Sequence, residues 1–92
     1  MKQEELNDVQ FRILDAVYFV EPLSHILEDV GGPASIVLDE LRQMIDKGWI
    51  QVMEYDAARR DYVRTPFYDS DHLEEYHFLA TKAGLLKHNG HS

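Results

Sequence analysis

Ninety-two residues, 45% apolar and 28% charged, make one globular domain with a small core, and they exclude wholesale disorder, collagen and membrane-spanning classes. There is no cysteine, which removes disulfides, thiol nucleophiles and thiolate metal sites; with the polar, acidic start this predicts a cytoplasmic protein without a leader. Nine Lys and Arg against seventeen Asp and Glu give a net charge of −8, a balance that repels phosphate and disfavours a generic nucleic-acid binder.

The first element is a helix over about residues 4–20. Leu6, Val9, Ile13, Val17 and Val20 recur at steps of three and four, and Phe11, Leu14 and Tyr18 form a second apolar stripe beside them. So wide an apolar arc predicts cover on two sides, the core on one and a second subunit on the other, with Phe11 and Tyr18 as the homodimer face. Pro22 suits the first turn of a second helix, in which Leu23, Ile26, Leu27 and Val30 face inward and Ser24 and His25 outward. Gly31 and Gly32 stop it, and Pro33 opens a third helix with Ala34, Val37, Leu38, Leu41, Met44 and Ile45 inward, closed by Gly48. Residues 49–55 are rich in β-formers and read as a strand. From Asp56 to about Glu75 the pattern is loop-like, uncomfortably long for a structureless segment. Residues 76–79 read as a return strand. Thr81 caps a short last helix over residues 82–87 with Leu85 and Leu86 inward, and residues 88–92 should fray.

The expected class is therefore α+β, mostly α: a three-helix bundle, a two-stranded ribbon and a short C-terminal helix in one domain over residues 1–92. It divides into a first helix (1–21), a helix-turn-helix (22–48), a ribbon region (49–80) and a helix with its tail (81–92). Residues 22–55 and 76–87 resemble the winged helix-turn-helix domains of MarR-like and PadR-like regulators, a resemblance carried by the stretch from Leu41 through Gly48 to Ile50, the run from Tyr76 through Thr81 and Gly84 to Leu86, and the spacing of Pro22 to Val30 before the turn. There, a recognition helix runs through a glycine into the first wing strand, and the second wing strand ends in a Leu-Thr-x-x-Gly pattern. Here Ala80 is inserted between Leu79 and Thr81. The resemblance, over about half the chain, implies transcription regulation by DNA binding, with the third helix in the major groove and Ser35, Ile36, Asp39, Glu40, Arg42, Gln43 and Asp46 outward. Where that pattern often has a DNA-contacting arginine, nine before the glycine, this chain has Asp39.

Charge is unevenly spread. Residues 1–32 carry two bases against seven acids, and residues 66–79 carry four acids and no base. Arg59, Arg60 and Arg64 form the one arginine cluster, where a wing tip would reach phosphate. The plainer alternative pairs them with neighbouring carboxylates. Asp69, Asp71, His72, Glu74, Glu75 and His77 match no metal-ligand spacing, so the expectation there is a solvated acidic loop, with no metal and no cofactor. His25, His88 and His91 read as surface groups, and nothing supports catalysis. The leading expectation is a regulator that contacts DNA through the third helix and wing; the alternative is an acidic winged-helix module that binds a protein partner and no DNA, motivated by −8, Asp39, Glu40 and an outward Ile36.

Overall fold

The computed structural model describes residues 5–90, and within them the chain is a small α+β domain of four α-helices and one four-stranded antiparallel sheet. The expected start of the first helix near residue 4, and the tail residues His91 and Ser92, lie outside the described residues. The first helix, α1 (Asp8–Ala16), is shorter at both ends than the apolar period suggests. At its start Asn7 forms a reciprocal capping box. Its side chain accepts from the Gln10 amide at 2.8 Å, and the Gln10 side chain accepts from the Asn7 amide at 3.0 Å. The helix ends at the C-cap Val17, whose amide donates to the Ile13 carbonyl at 3.1 Å, and further on Pro22 biases Glu21 towards extended backbone. The two-residue strand β1 (Glu21–Pro22) then pairs with the last strand.

The second helix, α2 (Leu23–Val30), starts directly after Pro22, which is its N-cap. Gly31 and Gly32, at φ 74° and 78°, take backbone conformations that an L side chain resists and turn the chain into α3 (Ala34–Asp46). Val37, Leu41 and Met44 of α3 are buried and Leu38 and Ile45 half-buried, but Ala34 is exposed, contrary to its expected inward position. It sits in the first turn, before the helix reaches the core.

Strand β2 (Ile50–Asp56) begins after Trp49, which is itself buried. The region expected to be a loop holds two elements. Strand β3 (Asp61–Arg64) pairs with β2 through Met53–Arg64 to Asp56–Asp61, and a single 3-10 turn covers Leu73–Glu75. Strand β4 (His77–Ala80) pairs with β2 on its other side and with β1, giving the order β1-β4-β2-β3 in place of a two-stranded ribbon. Helix α4 (Lys82–Asn89) is capped as expected, Thr81 Oγ1 accepting from the Gly84 amide at 3.1 Å. The core gathers Ile13, Leu14, Val17, Ile26, Leu41, Met44, Ile50, Leu73 and Phe78 between the helices and one sheet face.

Two expectations about α4 fail together. Leu86 is exposed, and the residues expected to fray include His88 and Asn89, which are helical. The cause is Gly84, which lies so close to the strand lead-in that a Cβ there would collide with the Trp49 carbonyl. Gly84 therefore faces in, and the side chains that follow it inward are Leu85 and, one turn on, His88.

Candidate interaction surface

Helix α3 presents Ser35, Ile36, Asp39 and Gln43 to solvent, as expected, with Ile36 49% exposed. Two charged residues expected beside them are committed elsewhere. Glu40 is half-buried and turned towards α1, where its carboxylate accepts from Asn7 Nδ2 at 2.8 Å and Gln10 Nε2 at 3.4 Å. A carboxylate at that helix N-terminus also meets the favourable end of the helix dipole. Glu40 is thus removed from the outward face. Arg42, the only base in α3, donates from Nε to the Ser70 carbonyl at 3.1 Å and lies 3.5 Å from Asp39 Oδ1. The outward face keeps Asp39, with a side chain 72% exposed, and Asp46.

The arginine cluster lies on the β2–β3 hairpin. Asp56 shapes its tip, accepting from the Ala58 and Arg59 amides at 3.0 and 3.3 Å and lying 3.8 Å from the Arg59 guanidinium. Arg60 closes the four-residue loop at φ 54°, a left-handed conformation unusual for a side chain of its size. Arg59, Arg60 and Arg64 are all exposed. Glu54, Asp56 and Asp61 on the same hairpin balance them, so the hairpin as a whole is neutral although its tip segment, residues 57–65, is positive.

Two grooves flank α3. One, about 240 Å³, lies between α1 and the α2–α3 turn, walled by Val9, Val30, Pro33, Ile36 and Val37. Asp8 and Arg12 stand at its edge, and Arg12 Nη1 lies 3.5 Å from the Val30 carbonyl. The other, about 310 Å³, runs between the C-terminal end of α3, β2 and the segment after β3. Tyr68 borders it, its hydroxyl pKa pushed up by burial and by Asp46. Neither groove is visible in a linear sequence, though an outward Ile36 signals the first.

The expected dimer face is partly consumed inside the chain. Phe11 stacks on His88 at 4.4 Å between centroids, and the Tyr18 hydroxyl meets His88 Nδ1 at 2.9 Å and Asn89 Oδ1 at 3.0 Å. His88, expected to be an idle tail residue, joins α1 to α4. Phe19, next to Tyr18 in the chain, and Leu86, on the helix whose Asn89 binds the Tyr18 hydroxyl, are 79% and 63% exposed.

Of the acidic loop, His72, Glu74 and Glu75 bring potential ligand atoms within 4.8 Å of one another, all exposed. His72 Nδ1 is already engaged by Asp69 Oδ2 at 2.6 Å. His77 sits on β4 with its ring 4.7 Å from that of Tyr62, away from this group. No family model, no curated protein and no solved structure matches this chain.

Proposed function

We propose that the chain is a winged-helix binding module of the regulator type, cytoplasmic and non-catalytic, whose principal partner is a protein. The winged-helix reading is supported by element order: three helices with a tight glycine turn between the second and third, then a hairpin, a return strand and a closing helix. One observation carries the choice of partner. The single cation of α3, Arg42, is bound to Ser70 and Asp39, while Ile36 stands exposed beside an apolar groove. A helix face with acids and an aliphatic side chain repels phosphate and suits desolvated protein contact. Panning a displayed random-peptide library against the full chain should enrich binders. Those binders should lose at least roughly tenfold in affinity on Ile36→Glu, the scale expected from losing one buried aliphatic contact. A library that yields none, or binders indifferent to Ile36→Glu, overturns the protein reading.

DNA contact is the second reading, favoured by the exposure of Arg59, Arg60 and Arg64 on a projecting hairpin. It requires measurable affinity for duplex DNA at low salt, falling steeply as salt rises and again on Arg59→Ala with Arg60→Ala. The homodimer belongs to the same proposal, with its contact placed at Tyr18, Phe19 and Leu86 because Phe11 is covered by His88.

A further inference from the structure

Building on the protein-contact reading, we propose that the groove between α1 and the α2–α3 turn anchors a basic amphipathic segment of a partner: one aliphatic side chain seated against Ile36, flanked by lysine or arginine. The size of the groove selects the anchor. At about 240 Å³ it lies below the roughly 300–1,000 Å³ of pockets that enclose whole small molecules, and its walls are aliphatic. Its floor is open. Gly31 and Gly32 are glycines for their positive φ and not for close packing, since a Cβ at either would meet nothing within 4 Å.

Charge selects the flanks. Residues 5–39 contain seven carboxylates and one base, Arg12. Arg12 is directed at the Val30 carbonyl, 3.5 Å away. Asp8 and Arg12 both line the groove and offset each other, so the acidic excess comes from its surroundings: exposed Asp29 directly precedes Val30, and exposed Asp39 lies one helical turn beyond Ile36. An aliphatic slot in an acidic field attracts a cationic peptide and rejects an acidic one or a nucleic acid. The groove is distinct from the arginine hairpin, so occupation of one does not require the other.

The test uses the full chain and three short synthetic peptides: a central leucine flanked by lysines, the same peptide with alanine for leucine, and the same with glutamate for lysine. Methyl and amide NMR spectra report binding. The lysine–leucine peptide should shift Val9, Val30, Gly31, Ile36 and Val37, and the other two should bind at least roughly tenfold more weakly. Asp8→Asn combined with Asp39→Asn should weaken the first peptide by about three- to tenfold and reduce its salt dependence. Both positions are exposed, and unchanged circular dichroism would confirm that the fold survives. The proposal fails if the lysine–leucine peptide moves no groove signal, if shifts map elsewhere, or if the glutamate peptide binds equally well. Library-derived binders that still perturb Ile36 without preferring basic flanks would leave the protein-contact reading standing and remove only this inference. If neither the library nor the panel touches Ile36, both fall.

Discussion

At the scale of single residues, the clearest electrostatic statement comes from the acidic loop. His72 hydrogen-bonds Asp69, and that bond, with the carboxylate's charge, raises the imidazole pKa above its ordinary 6.5. Asp69 is lowered from its ordinary 3.8, first by the Asp71 amide it accepts and then by His72. The signs fix the pH window. A raised histidine contributes fully below its unfolded value and loses that contribution as pH rises through its folded one. A lowered carboxyl contributes above its unfolded value and loses it as pH falls. The pair therefore supports the fold most between about pH 3.8 and 6.5. An NMR titration should find the His72 ring titrating above 6.5, and Asp69→Asn should bring it back towards that value. A wild-type His72 titrating at or below 6.5 would contradict the geometry. Both groups are exposed, so the loop is tuned locally while global stability is decided elsewhere.

At the scale of elements, the decisive contact is the approach of α4 to the start of β2. Thr81 donates its amide to the Trp49 carbonyl at 2.9 Å and its hydroxyl to the Gly48 carbonyl at 2.6 Å, drawing the helix N-terminus against that strand. Gly84 is what lets it approach. Gly84→Ala should destabilise by about 1–3 kcal/mol through overpacking against backbone, despite alanine's higher helix propensity. For a domain of this size that is a fall in Tm of roughly 4–8 °C per kcal/mol, read by thermal circular dichroism. An unchanged or higher Tm would mean that α4 slides freely. Pro22, Gly31, Gly32, Pro33, Gly48 and Thr81 are local punctuation, so α2, α3 and the start of α4 could be read directly from the sequence. Strand β3 could not, because its turn places Arg60 where a hairpin signal would have glycine. Strand β1 is two residues, defined as a strand by its pairing with β4, which is remote in sequence. Glu40 was readable in principle: it lies three after Val37 and four before Met44, on the buried stripe. Leu86 and His88 exchanged roles because the inward face of α4 is set by a glycine, which carries no hydropathy signal.

At the scale of the whole molecule, charge and apolar exposure oppose each other. Two copies of a chain at −8 repel, while Phe19 and Leu86 offer apolar surface that association would bury. The α4 end is where the opposition is weakest. Lys82 and Lys87 are the charged residues of α4, and Lys82 lies one turn before Leu86 on the exposed face. Tyr18, hydrogen-bonded to Asn89, ties the α1 end to that same face, since Asn89 follows Leu86 by three positions. The proposed dimer should therefore be weak at low salt and strengthen as salt screens the net charge, the opposite of what ion-pair association or DNA binding would do. Sedimentation velocity across a salt series should show the average mass rising with salt, and Phe19→Glu with Leu86→Glu should hold the chain monomeric throughout. Phe11→Ala should act differently, loosening the His88 stack and lowering Tm, because that ring serves the α1–α4 contact within one chain. A mass that falls with salt, or a dimer indifferent to Phe19 and Leu86, would return the homodimer face to some other surface.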